Sequence, residues 1–166
     1  MKIQTVEISM KDDLQELLNS VAYIIKFSGY SDNKSAEEII TNPDMPSNGK
    51  KENVRLECVY DENNEMVNFC EYYLANETIF LGGFFIKQSK QKQGLGKLIL
   101  NMYEDKWKAD KKFNRIVLNV DIKNWVGIRY WINNGYSKII KWIGDLEYSE
   151  NNYAMLRLEK KYKKLC

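Results

Sequence analysis

Residues 78–86 read Thr-Ile-Phe-Leu-Gly-Gly-Phe-Phe-Ile, a short run that is apolar on both of its alternating faces. Such a run suits a central β-strand covered on two sides. The Gly82-Gly83 pair inside it marks a bulge or a close backbone approach. A short polar segment, residues 87–93, follows. Leu95, Leu98, Ile99, Met102, Tyr103 and Trp107 then recur at helical spacing, a helix of about four turns. Residues 115–120 are the next strand. A strand joined to another through one helix returns parallel to it, which calls for a sheet with a crossover.

The flanks extend this pattern. Residues 3–8 alternate weakly as a first strand, and Ser9 with Asp12 has the spacing of a variant capping box. Leu14, Leu17, Leu18, Val21, Ile24 and Ile25 line one helix face, and Gly29 is a stop signal. Ser35 with Glu38 predicts a second, short helix. Pro43, Pro46 and Gly49 make residues 41–53 a loop. Residues 54–60 and 66–74 read as strands joined by the polar turn 61–65. Asn124 can cap a helix running to Asn134, with Gly135 just past its end. Residues 137–143 and 153–158 read as a closing hairpin. No repeat or linker divides residues 1–166, so one domain is expected.

Composition narrows the function classes. The chain has 166 residues, 44% of them hydrophobic and 29% charged, with a formal net charge of +2. That charge argues against nucleic acid as the main partner, although lysines cluster at residues 87–97 and 160–164. There is no histidine, which removes Ser-His-Asp and Cys-His catalysis in their usual forms. Cys58, Cys70 and Cys166 stand far apart, so no metal site is expected and free thiols are. The opening MKIQTVEISMKDD is too polar for a signal peptide, and no apolar run reaches about 20 residues. A cytoplasmic protein with no membrane partner is the expectation.

The chemistry is concentrated between the buried strand and its helix, in Ile86-Lys-Gln-Ser-Lys-Gln-Lys-Gln-Gly-Leu-Gly-Lys97. Free amides at a helix N-terminus, aided by the dipole, make an anion site. Gly94 and Gly96 remove the Cβ atoms that would hold a phosphate off the backbone. Lys90, Lys92 and Lys97 add positive charge. A P-loop requires Gly where Gln91 stands. A dinucleotide fingerprint requires a third Gly where Ile99 stands.

Gln91-Lys92-Gln93-Gly94-Leu95-Gly96 resembles the acyl-CoA loop of the GNAT superfamily of N-acetyltransferases, Gln/Arg-x-x-Gly-x-Gly/Ala. The flanks carry the resemblance further. An apolar strand ends at Ile86, and Asn124 follows Val120 at the superfamily's spacing. Asn124-Trp-Val-Gly127-Ile128-Arg-Tyr130-Trp131-Ile-Asn-Asn-Gly135-Tyr136 tracks Asn-x-x-Ala-Ile-x-x-Tyr-x-x-x-Gly-Phe. The departures are Gly127 for Ala, Trp131 for Tyr and Tyr136 for Phe. The likeness spans roughly residues 78–158.

The resemblance implies an α/β (mixed α+β) fold. Its central sheet is mixed but mostly antiparallel, with six to seven strands, about four flanking helices and one splayed parallel pair. It implies acetyl-CoA as cofactor, CoA as product and no metal. Pantetheine would lie against the backbone of Phe84, Phe85 and Ile86. The pyrophosphate would sit on residues 91–96, beside Lys92 and Lys97. Asn124 would bond the pantetheine or phosphate arm, or serve only as a helix cap, and Trp131 would face the same slot. An amine then attacks the thioester, with a backbone N–H at the bulge stabilising the oxyanion.

The acid and base are where the motif departs. The superfamily's frequent acid is a Tyr at the place of Trp131, whose indole cannot act as a general acid. Tyr130, about 100° round the helix, is the substitute. Phe80 stands where some relatives carry a Glu base, leaving Glu71 or Tyr73 of the preceding strand, or a water chain. The expected function is N-acetylation of a primary amine of a small molecule or peptide. The alternative is a CoA-binding sensor or interaction domain without turnover. Acidic residues of the variable loops (Asp32, Glu37, Glu38, Asp44, Asp145, Glu147, Glu150) can welcome a cationic amine. A homodimer through the C-terminal strands is common in the superfamily.

Overall fold

The computed structural model of the chain describes residues 1–24, 27, 34–145, 147 and 149–162. These residues form a seven-stranded sheet ordered β1-β2-β3-β4-β5-β7-β6. The strands are β1 (Ile3–Thr5), β2 (Val54–Tyr60), β3 (Met66–Ala75), β4 (Thr78–Ile86), β5 (Arg115–Asp121), β6 (Lys138–Gly144) and β7 (Ala154–Lys161). Every neighbouring pair is antiparallel except β4 and β5, which are parallel. The four α-helices among the described residues are α1 (Lys11–Ser20), α2 (Ala36–Thr41), α3 (Leu95–Ala109) and α4 (Trp125–Asn133). The mixed fold read from the sequence is the one observed.

Both faces of β3 and of the C-terminal end of β4 are covered, which suits the doubly apolar run in β4. On one face α3 and α4 bury Ile99, Leu100, Tyr103, Trp107, Ile128 and Trp131 against Ile79, Leu81, Ile116 and Leu118. On the other, α1 and α2 bring Leu14, Leu17, Val21 and Ala36 onto Cys58, Met66 and Phe69. Cys58 and Cys70 therefore lie on opposite faces, and burial raises both thiols, Cys58 to about 11.

Local chemistry sets most boundaries. The Ser35 Oγ accepts the Glu38 amide at 3.2 Å while the Glu38 carboxylate accepts the Ser35 amide at 2.7 Å, the reciprocal box that starts α2. Asp61 closes the β2–β3 turn by accepting the amides of Asn63 and Glu65. Gly135, at φ 90°, ends α4. Two expectations are corrected at the N-terminal end. The first strand stops at Thr5, and the box expected of Ser9 and Asp12 does not form. Ser9 lies inside a 3-10 turn, Ile8–Met10, and α1 begins at Lys11 with no side-chain cap. The turn draws the chain off the sheet edge before α1 can start. Helix α1 ends at Ser20; Ile25 and Gly29 lie outside the described residues.

Candidate cofactor and acceptor site

Strands β4 and β5 pair from Thr78↔Arg115 to Leu81↔Leu118 and no further, although β4 continues to Ile86 and β5 to Asp121. Past Leu81 the parallel pair opens. The opening starts at a bulge, where Glu71 of β3 faces Gly83 and Tyr72 faces Leu81, leaving Gly82 as the extra residue. A Cβ on Gly83 would meet the Phe85 ring at 2.7 Å, so the ring's position requires glycine there. Phe84 and Phe85 point to opposite faces. Phe84 packs against Tyr103, Tyr130 and Trp131, and Phe85 stacks on Phe69 at 6.3 Å. Among the described residues the β5-facing backbone edge beyond Leu81 has no strand partner, which leaves room for a peptide-like ligand.

The loop after β4 is held by its side chains while its amides stay open. The Gln91 Nε2 donates to the Ile86 carbonyl at 2.9 Å, and its Oε1 accepts the Tyr23 hydroxyl at 3.0 Å. The Gln93 Nε2 donates to the Ser89 carbonyl. Lys92 and Gly94 both take positive φ, 60° and 81°. The Gly94 conformation is one that a side chain makes costly, and a Cβ there would point into open space. Among the described residues the amides of Lys92, Gln93 and Gly94 reach no backbone acceptor. Those of Leu95 and Gly96 belong to the first turn of α3, where none is available. Five successive amides thus stand at the positive end of a 15-residue helix. Lys92 and Lys97 are exposed beside them. Lys90 is not available as expected, because Asp61 and Glu65 each hold its ammonium at 2.8 Å. Lys87 is bound by Glu16 and Glu65 in the same network.

Helix α4 closes one side of the opening. The Asn124 Oδ1 accepts the Gly127 amide at 2.9 Å, so its side chain is used as the N-cap. A Cβ on Gly127 would come within 2.6 Å of that side chain, which accounts for glycine at this place. The Tyr130 hydroxyl donates to the Gly96 carbonyl at 2.9 Å, and its ring stacks on Phe84. Burial raises this phenol well above its ordinary range. Trp131 is 9% exposed, wedged between Phe84, Tyr130 and Tyr136.

On the opposite side of the bulge, Glu71 lines a cleft of about 220 Å³ with Asp44, Met45, Tyr73, Phe80 and Gly82. Its Oε1 is buried with no hydrogen-bond partner among the described residues. Burial, and then the Asp44 carboxylate, push its carboxyl up to about 7 against the opposing Lys34 ammonium. Asp44 is itself paired with Lys34 at 2.5 Å. The structure therefore brings Glu71, the bulge and the open strand edge to one place. Tyr130, Gly96 and the loop amides lie further along the opening. Sequence reasoning missed the Tyr23–Gln91 bond and the placement of Arg157 over the Phe80 ring at 4.7 Å. Both join residues remote in the chain, and no local signal marks them.

The model of the acetyltransferase (GNAT) family matches residues 21–136. Solved structures share the fold at low identity. Spermidine N-acetyltransferase from Vibrio cholerae, in complex with CoA and spermine, superposes with a TM-score of 0.75 at 14% identity, covering 98% of this chain and 96% of that one. The PaiA N-acetyltransferase from Thermoplasma acidophilum, in complex with coenzyme A, gives 0.65 at 18%, covering 97% and 98%. The ribosomal-protein-S18-alanine N-acetyltransferase from Escherichia coli gives 0.69 at 13%, covering 96% and 92%. A comparison with curated protein sequences finds no match.

Proposed function

The chain belongs to the acetyltransferase (GNAT) family, and we propose that it transfers the acetyl group of acetyl-CoA to a primary amine of a small molecule or peptide. The observation that carries this is the opening between β4 and β5, with the open amides of residues 92–96 at one end and Glu71 at the other. The loop amides, with Lys92 and Lys97, suit a pyrophosphate. The unpaired edge of β4 suits the amides of pantetheine. Acetyl-CoA, when bound, supplies an acetyl group activated as a thioester.

The chain's own residues then do three things. Glu71 takes a proton from the incoming ammonium, a task matched to a carboxyl raised to about 7. The bulge frees a β4 amide from the ladder to donate to the carbonyl oxygen as charge develops on it. Tyr130, the candidate acid, turns its hydroxyl to the Gly96 carbonyl, and we assign it to holding α4 against the loop. The departing sulfur takes its proton from water. Trp131 in the acid's place favours a second reading, binding of CoA without turnover.

Calorimetric titration with acetyl-CoA and CoA, followed by amine-dependent thiol release, tests both. Saturable binding by the wild type, lost in Gly94→Glu, is expected; the substitution adds a strained φ and a carboxylate where an anion belongs. A folded wild type that binds neither ligand removes the proposal. Binding with no thiol release from any amine selects the second reading.

A further inference from the structure

Among the described residues, helices α1 and α2 cover one face of the sheet over β2, β3 and the Phe85 end of β4. On that same face, β5, β7 and β6 are bare of helix among the described residues. The register places Arg115 beside Lys161, Val117 beside Glu159 and Lys138, and Asn119 beside Arg157 and Lys141. Five cations therefore share one uncovered face. Glu159 is buried beneath them and serves two, Arg115 at 3.3 Å and Lys138 at 3.2 Å, whose side chains remain 44% and 63% exposed. Arg157, Lys141 and Lys161 form no ion pair among the described residues. Glu77, at the rim, is bonded by Asn114.

This face adjoins the acceptor cleft. A trough of about 600 Å³ runs over Thr78, Arg115 and Lys161 to Phe80, and Phe80 also lines the cleft of Glu71. Arg157 lies on the Phe80 ring between the two. By strand spacing and rise, the cations spread over about 13 Å by about 10 Å. One carboxylate of a small acceptor cannot engage so wide an array. An extended chain bearing several carboxylates can.

Resting on the proposed acetyltransferase reading, we infer that the acceptor is a peptide amine followed by an acidic segment. The amine enters the Glu71 cleft, the chain crosses Phe80, and its carboxylates lie on Arg157, Lys141, Lys138 and Lys161. Three strand spacings, about 14 Å, separate β3 from β7, and extended chain covers about 3.4 Å per residue, so the acids begin at about the fourth position from the amine. The transfer forms the amide C–N bond and breaks the thioester C–S bond. Glu71 takes one proton of the ammonium, and the second proton, lost as the amide forms, passes through water to the departing sulfur, which leaves as CoA thiol.

The test uses two fluorescent heptapeptides with a free N-terminal serine, one with Asp and Glu from the fourth residue on and one with Gln and Asn there. Anisotropy measures their binding to the CoA-loaded protein, and thiol release measures acetylation. The acidic peptide is expected to bind at least about tenfold tighter, with the advantage in KM and not in kcat, and to lose it as salt rises to about 0.5 M. Lys141→Glu with Lys161→Glu, both on exposed side chains, is expected to abolish the preference. Turnover of the neutral peptide and CoA binding should be retained. The milder Lys141→Gln with Lys161→Gln serves if reversal disturbs the fold. Equal binding of the two peptides overturns the inference, as does displacement of the acidic peptide by a single-stranded oligonucleotide that binds more tightly. Absence of turnover with intact CoA binding counts against the acetyltransferase reading alone, because anisotropy still decides the surface.

Discussion

Among single residues, Glu71 combines burial, an unpartnered oxygen and a place beside the bulge. A base must be ionised to accept a proton, so kcat/KM should fall as pH drops below about 7. Glu71→Gln should remove that limb and lower kcat by roughly a hundredfold or more. The same group makes a prediction about stability. Its folded pKa stands above the unfolded one, so its contribution is full below the ordinary carboxylate range and is lost as pH climbs through about 7. Thermal melts should therefore show Glu71→Gln gaining on the wild type above neutrality, with the gain vanishing in acid. Tyr130→Phe removes one hydrogen bond between α4 and the loop, worth about 1 kcal/mol. Titration should show an acetyl-CoA Kd raised about fivefold, with the pH profile of turnover unchanged. A shifted alkaline limb would instead restore Tyr130 as the acid.

At the level of elements, the start of α4 illustrates how two departures become one design. Asn124 caps the helix by folding over Gly127, and a Cβ there would meet it at 2.6 Å. Gly127→Ala gains about 1 kcal/mol of helix propensity and, by dislodging the cap, loses about as much. The single variant should melt close to the wild type. Asn124→Ala should cost about 1 kcal/mol in the wild type and almost nothing in the Gly127→Ala background. Urea unfolding of all four proteins gives this coupling as a double-mutant cycle. Additive effects would show that the cap survives the added methyl group. The doubly apolar sequence of β4, the box at Ser35 and the stop at Gly135 were legible because each is local chemistry. The expected box at Ser9 failed because the route off the sheet edge overrode it, and Lys90 was misjudged because its partners lie on the distant β2–β3 turn.

Across the whole molecule, a buried carboxylate joins the elements behind the site. Glu104 of α3 is 3% exposed. It accepts Lys160 of β7 at 2.6 Å and the Tyr136 hydroxyl at 3.0 Å, and Lys160 also reaches the Asn134 carbonyl at the end of α4. Lys108 also pairs with Glu104, but at 3.4 Å, so removing Lys160 leaves the buried charge with one distant cation. Lys160→Ala should cost about 3 kcal/mol in urea unfolding, and a cost below about 1 kcal/mol would show the network to be surface decoration. Because the network holds α4 against α3, the same variant should weaken CoA binding without touching the Glu71 limb.

Neighbouring residues were enough to specify the crossover, the Gly94 turn at the head of α3 and the bulge at Gly82-Gly83, because glycine conformation and apolar periodicity are local properties. They also marked Glu71, Asn124 and Tyr130 as candidates, but the surroundings of these three come from other strands and helices. That Glu71 is desolvated, that Asn124 is spent on Gly127 and that Tyr130 faces Gly96 emerged from packing in three dimensions. Packing likewise collected Arg115, Lys138, Lys141, Arg157 and Lys161 onto one sheet face. Burial and charge density depend on which distant segments the sheet brings together, and that pairing is not encoded in any local pattern.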